Sequence, residues 1–360
     1  MGTESFRTRV LRHPDAEWER AVAEMDSQGI PVPLPVRAEW ARHLRGLRTW
    51  LVTAEDASGQ CRAAVALEVA PTRALPGHLL ARGHHLGCAL VSDAGDAVLA
   101  RVRELAQSEP RLLRLSIEFL LRRSEDQARV STTLEGLGFA RVTAPRNYRS
   151  TLVITLDGSE REILAGFSTT TRRNLRHWSE QPLELRPISD PRYADRLNAI
   201  AKETYARTGG RRASQDWVER MALCERLPAR SRLVGLFRAG QDDPAALLAY
   251  AWGCAHGDYA HYDDAGSTRV DDINASMAYP LMWDLIQWAR RGGCRWFDMG
   301  GARLTTDTRP DARAGIAEFK RRFSKVEATV GVEWAYEPSP RRARFADALR
   351  RWSTVLRPSH

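Results

Sequence analysis

The sequence predicts an α/β (α+β) chain laid out as two similar halves, and three observations carry that prediction. Amphipathic helical stretches alternate with short apolar runs over the whole length. Helix, glycine terminator and buried strand recur, most clearly in "LEGLGFARV" (134–142) and "ARRGGCRWFD" (289–298). The pattern also restarts around Arg146–Gly158, which separates a first domain, 1–150, from a second, 151–330.

In the first half, "HPDAEWERAVAEM" and "PVRAEWARHLRGL" read as amphipathic helices. "TWLVTAEDASGQCRAAVALEVAP" reads as a hairpin turning on Asp56–Gly59. A helix in "AGDAVLARVRELAQSEP" ends at proline, a strand follows in "RLLRLSIEFLL", and "TLEGLGFARVT" is a helix end, a glycine stop and a strand. In the second half, "YRSTLVITLDGS" is a strand and turn, and "SEREILAGFSTTTRRNLRHW" is one basic helical stretch. "DPRYADRLNAIAKETYARTGG" is a helix closed by two glycines, and residues 231–267 hold three strands. "DDINASMAYPLMWDLIQWARRGG" is a helix with aspartates at its start and arginines in its last turn, kinked or begun at Pro280. "CRWFDMGG" is a buried strand running into a glycine pair. The tail is a basic amphipathic helix with Phe345, Leu349, Trp352 and Leu356 on one face, expected to dock on the body, with a membrane or RNA surface as the lesser alternative.

At 360 residues and 43% hydrophobic, the chain can bury a core in each of two domains and is not a disordered tail. Its formal charge of +9 attracts polyanions, leaving nucleic acid, anionic lipid and phosphorylated small molecules open as partners. Five dispersed cysteines, with no Cys-x-x-Cys pair, argue against a disulfide framework or zinc site and for reduced thiols in a cytoplasmic protein. The first twenty residues are charged throughout, unlike a signal peptide, and no run of about 18 apolar residues is present.

Motifs narrow the chemistry. No nucleophile elbow, Walker loop or dinucleotide fingerprint occurs. No metal-ligand spacing occurs either, and the adjacent His84 and His85 diverge on helix or strand alike. Asp298 sits at a strand end before Gly300 and Gly301, where it either faces a ligand or caps the turn. Arg172, Arg173 and Arg176 lie at near-helical spacing and form either a phosphate or RNA surface or a solvated face. Thr204, Arg207, Arg211 and Arg212 surround a glycine pair, which suits a phosphate and equally an ordinary helix end.

The sharpest signal is compositional. All but three of the 54 Lys+Arg are arginine, and two of the three lysines, Lys320 and Lys325, fall together in or beside "GIAEFKRRFS"; the third is Lys202. A helix there puts Phe319 and Phe323 on one face, with Lys320 turned about 100° from Phe319. A lysine ammonium is a compact charge that can meet a single oxyanion, which the planar arginine fork does less well.

Five segments, in order, resemble the Fem family of non-ribosomal aminoacyltransferases: "FSTTTRRNLRHW", "ETYARTGG", "YDDAGS", "NASMAYPLMWDLIQWARRGGCRWFDMGG" and "GIAEFKRRFS". The resemblance covers roughly Ser150–Val332. It implies two tandem domains of the N-acetyltransferase (GNAT) type, with mixed, mostly antiparallel sheets flanked by helices, and with residues 331–360 returning to the first domain. It also implies an aminoacyl-tRNA as co-substrate, no separate cofactor or metal, and an amine-bearing acceptor that is a small molecule or lipid-linked, such as a peptidoglycan precursor or a specialised metabolite. Peripheral membrane contact is a further expectation. The family's catalytic Phe–Lys pair falls on Phe319 and Lys320. Its acceptor-phosphate contacts fall near Thr204 and Arg207, with Arg211 beside them as a further substrate-binding candidate, and an aromatic contact falls near Tyr262.

On that reading an acceptor amine attacks the ester carbonyl of an aminoacyl-tRNA, Lys320 stabilises the oxyanion, Arg172, Arg173 and Arg176 hold the tRNA acceptor arm, and Asp298 is a candidate base. The competing expectation is an acyl-CoA-dependent transferase of the same superfamily. The nearest string to the pyrophosphate loop such enzymes use is "RRGGCR" (290–295), which has Arg where its last small residue belongs. A non-catalytic RNA-binding protein is the third reading.

Overall fold

The computed structural model describes residues 5–44, 46–143, 149–207, 214–273, 275–301 and 314–355; for 314 and 351–355 it describes the backbone alone. The chain divides into two compact units, 1–147 with 330–360, and 148–329.

The first unit contains β1 (Arg7–Leu11), α1 (Ala16–Ser27), α2 (Ala38–His43), β2 (Arg48–Glu55), β3 (Cys61–Pro71), β4 (Leu79–Leu86), α3 (Asp93–Ser108), β5 (Leu112–Leu120), α4 (Ser124–Gly136) and β6 (Ala140–Arg141). The second contains β7 (Ser150–Thr155), α5 (Glu160–Gly166), α6 (Thr169–His177), β8 (Leu183–Pro187), α7 (Ala194–Arg207), α8 (Trp217–Arg226), β9 (Ser231–Arg238), β10 (Leu247–Ala255), β11 (Tyr259–Ser267), α9 (Ala278–Arg291), β12 (Trp296–Asp298), α10 (Ala314–Phe323) and β13 (Glu327–Thr329). The chain then re-enters the first unit as β14 (Gly331–Tyr336) and α11 (Pro340–Val355).

Each unit has one seven-stranded sheet, ordered β1-β2-β3-β4-β5-β14-β6 and β8-β9-β10-β11-β12-β7-β13. The orders are the same in kind. Five strands run in sequence, then comes a strand out of sequence (β14, which follows the second unit, in one sheet; β7, the second unit's own first strand, in the other), then a short edge strand. Each sheet has one parallel pair, β4 with β5 and β11 with β12, and is otherwise antiparallel. A parallel neighbour needs a crossover helix, supplied by α3 and α9. The two strings that look most alike in sequence are therefore not equivalent: "LEGLGFARV" leads into edge strand β6, and "ARRGGCRWFD" into β12, whose counterpart is β5.

Strand alternation sends successive residues to opposite faces of each sheet. In the first unit Val52, Val65, Leu67 and Ile117 pack under Val98, Leu99 and Val102 of α3. Their neighbours Leu51, Ala64 and Ala66 pack with Trp18, Val22 and Met25 of α1. In the second unit Leu281, Met282, Leu285 and Ile286 of α9 cover Leu236, Ala249, Ala251 and Phe297.

Three local expectations are corrected. The basic stretch 159–178 is two helices, because Phe167 is extended and Ser168 caps a new start, its side chain accepting from the Thr171 N–H. Helix α9 begins at Ala278 with Pro280 in its first turn, where proline lacks no needed donor, so Asp271 and Asp272 lie outside it, and Asp272 pairs with Arg238 at 2.6 Å. Helix α11 does dock, but through Ala343 and Ala346 and an Asp347–Arg114 ion pair of 2.7 Å; Phe345 and Leu349 face outward. Trp352 and Leu356 lie outside the described side chains.

Gly95 sits in the first turn of α3 with the Leu90 carbonyl so near that an added Cβ would lie 2.1 Å from its oxygen. We expect Gly95→Ala to destabilise the first unit by about 3 kcal/mol, whereas Gly136→Ala, which meets nothing within 4 Å, should be neutral or slightly stabilising in urea unfolding.

Burial pushes the thiols of Cys61, Cys224 and Cys294 up to about 12, about 11 and about 12 from an ordinary 9.0. The unfolded thiols lose protons near 9.0 while the folded ones keep them, so the folded state binds more protons above that pH. Stability should therefore fall as pH rises through 9.0, and Cys61→Ala should flatten the decline in melting curves recorded across that range.

Candidate active site

The site grows from the end of the second unit's parallel pair. β11 and β12 stay in register over three positions, Tyr259–Trp296, Ala260–Phe297 and His261–Asp298. There β12 ends, while β11 continues to Ser267. On its other side β11 carries a bulge, for Trp252 pairs with Asp264 and Gly253 with Tyr262, which leaves Asp263 as the extra residue. A bulge bends its strand and re-aims the side chains beside it. Tyr262 is the residue next to this one.

Past β12 the chain turns on Gly300 (φ 66°) and Gly301 (φ 35°), backbone conformations that favour glycine. Asp298, fully buried, fixes this turn: its Oδ1 accepts from the Gly300 N–H at 2.6 Å and from the Thr151 hydroxyl on β7. The two carbonyls of the glycine pair converge on the Lys320 ammonium, Gly301 O at 2.9 Å and Gly300 O in a shorter contact. The same ammonium lies 5.4 Å from the centre of the Tyr262 ring, within cation–π range. Lys320 is only 7% exposed. Carbonyl dipoles and a ring face offset part of the cost of desolvating its charge.

α10 holds the lysine in place. Phe319 and Phe323, one turn apart, pack on Tyr279 of α9, Phe319 edge-on and Phe323 stacked, their ring centres 5.2 and 5.5 Å from its own. Phe323 also meets Phe167 edge-on. The Ser324 hydroxyl donates to Val153 O at 2.7 Å, fastening the helix end to β7. The Arg322 carbonyl accepts from Ser168 N and from the Thr171 hydroxyl, both at 2.9 Å, so the start of α6 is tied to the end of α10. The Phe319 ring is thus an anchor for the helix that presents Lys320.

Tyr262 shows the field of the site. Burial, then the negative charges of Asp298 and Asp264, raises its phenol well above the ordinary tyrosine value, with the Tyr205 phenol also near, so the hydroxyl stays protonated and able to donate. Asp264 is itself buried, accepting from the Tyr250 hydroxyl at 3.1 Å with Arg220 at 3.7 Å.

The structure thus brings Lys320, Tyr262, Asp298 and the glycine pair together, with Phe319 behind them. Thr204 and Arg207 are engaged with the end of β11: the Thr204 hydroxyl accepts from Ser267 N at 3.0 Å, and Arg207 donates to Ser267 O at 2.6 Å. Gly266 admits α7 at this point, since a Cβ there would lie 3.1 Å from both Ile200 and Thr204. Arg211 lies outside the described residues. On α6, Arg172 turns back onto the carbonyls of Ala165 and Phe167, whereas Arg173 and Arg176 are exposed. Asp298 takes the turn-capping role. Thr151 and Tyr205 were not singled out from sequence; Tyr205 lay within the quoted "ETYARTGG", but Thr151 is 147 residues from its partner and carries no local signal.

Two units of the same strand order, each with one parallel pair crossed by a helix, make a tandem GNAT-type fold. Residues 165–321 match the family model described as an acetyltransferase (GNAT) domain. Among solved structures, FemX aligns with a TM-score of 0.69 at 14% identity, covering 91% of this chain and 97% of FemX. L-PGS from Bacillus licheniformis aligns with a TM-score of 0.54 at 13% identity over 96% and 97%. A tandem GNAT protein from the clavulanic acid biosynthesis pathway aligns with a TM-score of 0.50 at 16% identity over 93% and 99%. At these identities the likeness is one of fold: the chain has the tandem GNAT fold that its resemblance to the Fem family implies. No curated protein matches the sequence.

Removing the Asp298 carboxyl strands a half-buried N–H and a buried hydroxyl. We expect Asp298→Ala to cost about 3 kcal/mol, and Asp298→Asn, which keeps an accepting oxygen, less than half of that in urea unfolding.

Proposed function

We propose that the protein is an aminoacyltransferase, moving an amino acid from an aminoacyl-tRNA to an amine acceptor. The amine nitrogen attacks the ester carbonyl carbon, a C–N bond forms, the C–O bond to the terminal ribose breaks, and the proton lost by the amine ends on the ribose hydroxyl. The ester is already activated, so the step calls for no ATP. The observation that carries this reading is the buried Lys320 ammonium, held by two glycine carbonyls beside Tyr262 where the parallel strands part. Such a charge suits the oxyanion of the tetrahedral intermediate. Phe319 positions it through α10, and the neutral Tyr262 hydroxyl is a donor nearby. Asp298 serves as a positioning residue, because its oxygen is committed to the turn. Arg173 and Arg176 are the proposed tRNA contacts, which their exposure supports, with Arg172 supporting α6 from within. Thr204, Arg207 and Arg211 are the proposed acceptor side, for a peptidoglycan precursor or a specialised metabolite.

The alternative, an acyl-CoA-dependent transferase, draws support from the acetyltransferase description of the matching family model. A pyrophosphate loop needs backbone N–H groups at a helix start. The string "RRGGCR" lies instead at the C-terminus of α9, capped at Gly292 and turning at Gly293 (φ 82°). After β4, α3 opens on Asp93 and Asp96, two acids whose charge the single Arg129 offsets only in part, a poor setting for an anion. The connection from β11 to α9 contains no glycine. These features favour the tRNA ester.

The test is to incubate the protein with radiolabelled aminoacyl-tRNA and cell-wall precursors, and in parallel with acetyl-CoA and the same acceptors. Labelled small product from the tRNA arm supports the proposal; product from the CoA arm alone overturns it. With a working acceptor, Lys320→Met should lower kcat roughly 100- to 1,000-fold while acceptor KM changes little, and near-normal turnover would sink the assignment. Arg173→Gln with Arg176→Gln should weaken tRNA binding and reduce its log–log salt slope by about 1.4, read by filter binding at several ionic strengths.

A further inference from the structure

The apolar stripe on α11 is turned away from the body it was expected to cover. Phe345 is 57% exposed and Leu349 39%, one helical turn apart on the same side. The helix is held by another face, through buried Ala343 and Ala346, the Asp347–Arg114 ion pair, and Arg342, whose guanidinium donates to Pro110 O at 2.8 Å. Arg341 and Arg344 are exposed on the same helix. Its one acidic residue, Asp347, is the one already paired inward.

We infer that α11 seats the first unit on an anionic lipid surface, Phe345 and Leu349 entering the headgroup boundary while Arg341 and Arg344 meet lipid phosphates. Three arguments choose this occupant. A helix with large apolar side chains beside arginines has the make-up of an interfacial, in-plane helix. An RNA would pair with the arginines and could stack on Phe345, but gains nothing from Leu349, which has no face to stack on. A second copy docking helix against helix would bring like-charged arginines together. No described helix is long and apolar enough to cross a membrane, so the contact is at the surface. The inference bears on where an acceptor is met but does not depend on the transfer chemistry.

The experiment is co-sedimentation of the full chain with phosphatidylcholine vesicles, with and without phosphatidylglycerol. The intact protein should bind the phosphatidylglycerol vesicles in a salt-sensitive way and ignore the neutral ones. Arg341→Gln with Arg344→Gln should weaken the binding roughly five-fold per arginine. Phe345→Glu with Leu349→Glu should abolish it, with an unchanged melting midpoint. If that variant melts early, an environment-sensitive dye on Ala348→Cys reads the same helix in an otherwise intact chain, and a blue shift with vesicles is expected. No binding to anionic vesicles, binding indifferent to the Phe345/Leu349 change, or no dye shift overturns the inference. So does loss of tRNA binding or of a concentration-dependent dimer, with vesicle binding intact, in the Phe345/Leu349 variant.

Discussion

The buried carboxylate of Asp298 is the interaction on which the candidate site depends. It gathers the Gly300 N–H and the Thr151 hydroxyl onto one oxygen, and so fixes the path of the chain just past β12. That path aims the carbonyls of Gly300 and Gly301 at the Lys320 ammonium. A buried acid oxygen that accepts two such bonds is costly to disturb, because its partners lose their acceptor with it. The lysine is held because a turn is held, and the turn is held because β12 stops after three residues and leaves an acid at its end.

The topology gives the site its stiffness. β7 lies between β12 and β13, and supplies Thr151 to Asp298, Leu152 O to Met299 N, and Val153 O to Ser324. This one strand thereby ties the glycine turn to the end of α10. On the helix side, the Phe319–Phe323–Tyr279 cluster leaves α10 little freedom to rotate, and a short rotation would carry Lys320 off the carbonyls. Groups positioned in this way before a substrate arrives need little reorganisation when charge develops.

How much of this was legible in the sequence follows the range of each interaction. The Phe319–Lys320 pair, the glycine pair and the capping role open to Asp298 are local, and the residues spell them out. The two-fold strand order was legible only as a recurring theme: β6 and β12 are two and three residues long and read alike after their glycines, although one is an edge strand and the other a parallel partner. Thr151 could not be found, because its role exists only once β7 lies beside β12. The orientation of α11 differs from the sequence expectation for a related reason. Periodicity gives an apolar stripe but not its direction, and small Ala343 and Ala346 let the helix approach closely through the other face.

Because the chain has only three lysines, Lys202, Lys320 and Lys325, a spectrum of the protein labelled with ε-carbon-13 lysine holds three side-chain signals, assignable by single substitutions. Recording it with and without a non-hydrolysable 3′-aminoacylated RNA analogue tests the central claim most directly. The account predicts that the Lys320 signal moves with the ester analogue and much less with the same RNA lacking the amino acid. An unchanged Lys320 signal at saturating analogue would contradict it.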